Sequence, residues 1–129
     1  MAEVLFSFRK LKVYQEAKSY TLASYALIKN FPPDERFAMT QQIRRAASSI
    51  PFNIAEGSGR YSTKEQLHFV GIAFGSLNET LSQFDLAHDL CYITDEEWEE
   101  IGLRYKRVAY MLSCMRRSLL ARENATQPS

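Results

Sequence analysis

Two pairs of side chains have the spacing that binds metal in helical bundles. Glu65 and His68 stand at i, i+3, and so do Asp85 and His88. Di-iron bundles use such a step on each of two helices, joined by a carboxylate from each of two others, all pointing inward. Here both pairs fall in one amphipathic segment, twenty residues apart and so about 30 Å along a helix. They cannot share a metal pair. The first segment offers only Glu16, and the second has Glu35 and Glu56 at its ends. A metal-dependent bundle enzyme is therefore the disfavoured alternative. The sequence leads us to expect no catalytic residue, no metal and no cofactor.

Gly57-Ser58-Gly59-Arg60 has the outline of a phosphate-binding turn. It lacks the Gly-Lys-Ser/Thr ending of such loops, and no strand precedes it. A helix-ending turn explains it better. No Ser/His/Asp or Cys/His set stands out. Among the cations, Arg44, Arg45, Arg104 and Arg107 are the nucleic-acid candidates, with Arg60 a further anion ligand. Pairing with Glu56 or another acid, within the chain or between subunits, competes with phosphate contact as their role.

These residues sit on helical patterns. No alternating strand-like run occurs. A first segment, about 11–30, repeats Val13, Ala17, Tyr20 and Leu27 at helical steps and ends at Pro32-Pro33. Its tyrosines are expected to hold their hydroxyls at the bundle edge. A second, about 35–55, carries the stripe Met39, Ile43, Ala46, Ala47, Ile50 and Ile54, with Pro51 predicting a kink. A third, 62–90, opens on Ser62-Thr63-Lys64-Glu65, a reciprocal capping pattern, and its main stripe is Leu67, Val70, Phe74, Leu77, Leu81 and Phe84. A fourth opens on Thr94-Asp95-Glu96-Glu97 and runs Trp98, Ile101, Tyr105, Val108, Leu112, Met115, Leu119 in a seam of alternating threes and fours. The fold expected is an all-α, up-down-up-down antiparallel four-helix bundle, a single domain over 1–129. Residues 1–10 would dock as an arm, and 123–129 would form a disordered polar tail.

Two helices have more apolar surface than one core needs. Phe52 lies about 180° from the second stripe, and Phe69, Ile72, Ala73 and Leu86 lie off the third. Burial of that second side calls for a neighbouring subunit, so Phe52, Phe69, Ile72, Ala73 and Leu86 are the oligomer-interface candidates. A turn of Phe52 inward at the kink, with the arm covering the third helix, is the competing account. Gly71 and Gly75, one turn apart, each weaken the helix by about 1 kcal/mol against alanine. Close approach of another helix is the expected compensation.

Composition narrows the function. With 129 residues and 46% hydrophobic content the chain can bury a core without disulfides. A formal net charge of +1 does not announce a nucleic-acid binder. Cys91 and Cys114 are expected to be free thiols. No run is long enough to span a membrane, and Met1–Phe8 lacks a secretory pattern, so a cytoplasmic location is expected.

Several ordered motifs resemble one family. They are Leu11-x-Val13-Tyr14-Gln15-x-Ala17, then Pro33-x-Glu35-Arg36-Phe37, then Gln41-x-Ile43-Arg44-Arg45-Ala46-Ala47-x-Ser49-Ile50-Pro51-x-Asn53-Ile54-Ala55-Glu56-Gly57, and Gly75-Ser76-Leu77-x-Glu79. With these the sequence resembles the proteins encoded by intervening sequences of bacterial 23S ribosomal RNA genes, often mislabelled as an S23 ribosomal protein. The resemblance implies a cytosolic homopentamer of four-helix bundles without established catalytic residues. A remoter similarity, to the accessory variability protein of diversity-generating retroelements, implies RNA or a reverse-transcriptase-like protein as partner. The reading is a non-enzymatic oligomeric interaction module for RNA or protein, with a protein-only scaffold as the alternative.

Overall fold

The structure is a computed structural model and describes residues 7–126. Four helices follow one another: α1 Lys12–Ile28, α2 Met39–Ser58, α3 Thr63–Asp89 and α4 Asp95–Thr126. Short 3-10 turns lie at Ser7–Lys10 and Pro33–Glu35. No strand occurs among the described residues. Each helix packs on its two neighbours in the order α1, α2, α3, α4 and back to α1, which makes a four-helix bundle. No described helix is long and apolar enough to cross a membrane.

The helix starts follow from the caps. The Ser62 hydroxyl accepts from the Glu65 N–H at 3.0 Å. At α4 both halves of the reciprocal cap form: Glu97 N–H donates to Thr94 Oγ1 at 3.0 Å, and Thr94 N–H to Glu97 Oε1 at 2.9 Å. α2 begins at Met39, later than the sequence suggests, because Pro33 sets a separate 3-10 turn. α4 continues through Asn124 to Thr126, where a disordered tail was expected. Residues 1–6 and 127–129 of the expected arm and tail lie outside the described residues. The described part of the arm packs on α1 and α2, with the Phe8 ring 5.0 Å from that of Tyr14.

Ile43, Ile50 and Ile54 from α2 meet Leu77 and Phe84 from α3, and Ile101, Val108, Leu112 and Leu119 from α4, in the core. The α4 seam faces inward as its spacing predicts. The α3 stripe is rotated from the expected one. Its buried line is Val70, Ala73, Leu77, Thr80, Phe84 and Ala87, whereas Leu67, Phe74 and Leu81 are half-buried on its flank. Tyr20 also departs from expectation. It is fully buried, and its hydroxyl lies 2.8 Å from Thr80 Oγ1. Thr80 donates on to the Leu77 carbonyl at 2.7 Å, so both buried hydroxyls are satisfied.

α2 runs unbroken through Pro51. Proline there supplies no N–H to the Ala47 carbonyl one turn back. The Thr21 hydroxyl on α1 approaches that carbonyl at 2.7 Å in its place. On the other side α2 lies close to α3. Ser49 and Ser76 hydroxyls meet at 2.9 Å, and Asn53 Nδ2 donates to both the carbonyl and the hydroxyl of Ser49. A Cβ on Gly57 would come within 2.9 Å of the Phe69 Cβ, which is why this position has none.

Candidate interaction surfaces

The metal-spaced pairs are used elsewhere. His88 Nε2 lies 2.6 Å from Asp95 Oδ1, and its ring stacks on Trp98 at 5.6 Å. This ties the end of α3 to the start of α4. His68 is exposed, with its ring edge-on to Phe69. Among the described residues no three His, Cys, Asp or Glu side chains converge as a metal site requires. Tyr92 donates its hydroxyl to Glu35 at 2.9 Å, and this bond holds the phenol above its ordinary pKa.

The four candidate arginines do not form one patch. Arg44 lies over the Tyr25 ring at 5.4 Å, on the edge of α2 that faces α1. Arg45 is exposed, about 100° round the helix from Arg44 and on the outward face of α2 beside Phe52. Arg104 donates to Ser19 Oγ at 2.7 Å and to Glu100 at 3.4 Å, so its head is engaged within the chain. Arg107 is exposed and borders a shallow hollow with Glu16, Leu103 and Tyr110.

The interface candidates divide. Phe52 is 67% exposed, Leu86 51% and Ile72 37%. Phe69 is half-buried, with the Arg60 guanidinium 4.9 Å from its ring centre. Ala73 is a correction: it is fully buried in the bundle core and has no surface to offer a neighbour. The rotation of the α3 stripe explains this. A second apolar strip, not anticipated from the sequence, lies on α4, where Leu103 is 57% and Tyr110 62% exposed. α2 and α4 are diagonal in the bundle, so the two strips face away from each other. Gly71 and Gly75 meet nothing within 4 Å of a built Cβ. They floor an open hollow of about 400 Å³ between α3 and α4, walled by Leu67, Phe74, Arg116 and Leu120. The expected helix neighbour is therefore not supplied by this chain.

A further pattern emerges only from the topology. The antiparallel order brings the 3-10 turn at Ser7–Lys10, the α2–α3 turn and the end of α4 to one end of the bundle. That end collects Arg9, Lys10, Arg60 and Lys64, with Arg116, Arg117 and Arg122 from α4. Its acids are Glu56, which is bound to Arg60 at 2.9 Å, Glu65 and Glu123. The opposite end collects Asp34, Asp85 and Asp89, then Asp95, Glu96 and Glu99 at the start of α4, against Lys29 and Arg36. A near-neutral total thus conceals two charged poles.

The motif residues now have physical roles. Pro51, Ser49, Asn53 and Gly57 govern how α2 meets its neighbours, and Glu56 holds Arg60. The model of the 23S rRNA-intervening sequence protein family matches residues 9–114, which contain all of them. The chain belongs to that family. A similar solved structure is a protein of unknown function from the S23 ribosomal protein family of Bacteroides thetaiotaomicron VPI-5482. It is 25% identical, with a TM-score of 0.72, and the match covers 81% of this chain and 97% of that one. No curated protein shows significant similarity. Within the 23S rRNA-intervening sequence family, the long α2 motif reads here as architecture: it sets helix contacts.

Proposed function

We propose that the chain is a cytosolic, non-enzymatic bundle that assembles with copies of itself, as a pentamer, and serves as an interaction module for RNA or protein. The carrying observation is the pair of exposed apolar strips on opposite sides of the bundle: Phe52, Ile72 and Leu86 on one, Leu103 and Tyr110 on the other. A two-fold dimer needs one self-complementary patch. A closed ring needs two different patches that meet head to tail. The strips fit the second geometry. Burying them returns about 25 cal/mol per Å² of apolar area before association costs. The family resemblance is what selects five copies, since strip geometry does not count subunits.

Light scattering at micromolar concentration tests the assembly. Phe52→Asp with Leu86→Asp should open the ring, and so should Leu103→Asp with Tyr110→Asp. Each variant retains one good face, so an equimolar mixture of the two should form a dimer and no larger species. A monomeric wild type defeats the assembly reading. A wild-type dimer indifferent to the α4 pair defeats the ring.

A further inference from the structure

The basic pole remains unexplained by assembly through the lateral strips. Lys64, Arg116, Arg117 and Arg122 make no ion pair with any described residue. Arg60 is held in place from two sides, by the Glu56 carboxylate and by the Phe69 ring. The Gln66 side chain donates to the Arg60 carbonyl at 2.8 Å and fixes the turn. A hollow of about 430 Å³ opens there, lined by Arg60, Lys64, Glu65, His68 and Phe69. At the apex of the same turn Tyr61 is fully exposed at 103%. An aromatic ring with no packing role stands beside a preorganised guanidinium and unpaired cations.

We propose that this pole binds single-stranded nucleic acid, with Tyr61 stacking a base and Lys64, Arg60 and Arg116 facing its phosphates. Cations track a polyanion, and an exposed ring takes a splayed base whatever its identity. A duplex keeps its bases stacked inside and gives Tyr61 nothing to hold. Arg116 reaches from α4 to the α3–α4 hollow beside Leu67, which is one turn along α3 from Lys64, and so joins this basic surface. The proposal rests on the interaction-module reading and narrows its partner to nucleic acid. In a ring of parallel subunits the basic poles would gather on one rim.

Fluorescence anisotropy with a short labelled oligouridylate, across a salt series, tests this in the full chain. Wild type should bind, with log K falling linearly in log salt. Lys64→Gln with Arg116→Gln should flatten that slope by about 1.4, at about 0.7 per single-strand phosphate contact. Tyr61→Ala should weaken binding about tenfold at unchanged slope, and Tyr61→Phe should restore it. Oligodeoxythymidylate binding in the same way supports the proposal equally. An unchanged slope in the double variant overturns it, as does equal loss from Lys29→Gln with Arg36→Gln at the far pole. Binding to a duplex or to anionic phosphatidylserine vesicles, with none to single strands, overturns it too. Light scattering on the same samples separates the two readings, since a monomeric wild type that binds the oligouridylate defeats assembly alone.

Discussion

The Thr21 hydroxyl on α1 lies 2.7 Å from the Ala47 carbonyl on α2, the carbonyl that Pro51 deprives of its helical donor. The same hydroxyl is 3.0 Å from its own Ala17 carbonyl, so its single proton is shared between the two helices. A neighbouring helix thereby satisfies a backbone group that the sequence of α2 leaves orphaned. Thr21→Val should cost about 1–2 kcal/mol, the value of leaving a part-buried carbonyl unpaired. In a Pro51→Ala background residue 51 regains its N–H, and the cost of Thr21→Val should shrink. Urea unfolding of all four proteins measures the coupling. Additive losses would show that the hydroxyl does not serve that carbonyl.

Tyr20 makes stability depend on alkaline pH. Burial, the largest cause, pushes its phenol up from 10.0 to about 12, although the Thr80 hydrogen bond pulls the other way. The sign follows from the raised folded value. Below pH 10 both states keep the proton, and the full stabilisation is present. Between pH 10 and about 12 the unfolded tyrosine ionises while the folded one does not, so stability falls by up to about 2–3 kcal/mol. Tyr20→Phe should remove this part of the alkaline loss. Denaturation midpoints at pH 9 and pH 11.5, compared between the two proteins, provide the check.

Cys91 occupies a left-handed backbone position, φ 64°, just past the end of α3. Its N–H bonds the His88 carbonyl and that of Tyr92 bonds the Ala87 carbonyl, a paired helix stop usually built on glycine. Cys91→Gly should raise stability by about 1 kcal/mol, because an L side chain is strained there. A thermal melt under reducing conditions should show the midpoint rise. A fall would mean that the side chain compensates its own strain.

Leu112 is fully buried at the centre of the α4 seam. Leu112→Ala should cost about 2–5 kcal/mol in denaturant unfolding. A loss below about 0.5 kcal/mol would contradict its place in the core.

Much of the bundle was legible because apolar spacing alone phases α2 and α4. Ile43, Ile50 and Ile54, like Ile101, Val108 and Leu112, are both the most apolar and the most buried residues of their helices. α3 misled for a definite reason. Its large residues Leu67, Phe74 and Leu81 flank the α4 contact, whereas small Ala73 and Ala87 and polar Thr80 occupy the centre, where space is tight and a tyrosine needs a partner. Thr80 could be placed there only by knowing that Tyr20, sixty residues earlier in the chain, arrives opposite. The candidate surfaces were less legible. Arg104 is a nucleic-acid candidate by sequence, with pairing to an acid as the competing role, and Ser19 and Glu100 engage it. The sequence of α4 itself runs from acids at 95–100 to bases at 104–122, but the extension of that sorting to both ends of the molecule depends on which helix termini become neighbours.

That separation of charge along the helix axis has a kinetic consequence. A molecule with carboxylates at one end and guanidinium groups at the other experiences a torque in the field of a distant polyanion. If the basic pole binds a strand as proposed, the molecule would turn before contact and arrive with Tyr61 leading. Such orientation acts over roughly the screening length, about 10 Å at 0.1 M salt, and raises the fraction of encounters that succeed. Asp95, Glu96 and Glu99 would thus govern how fast a strand is captured at the opposite end, although they never meet it.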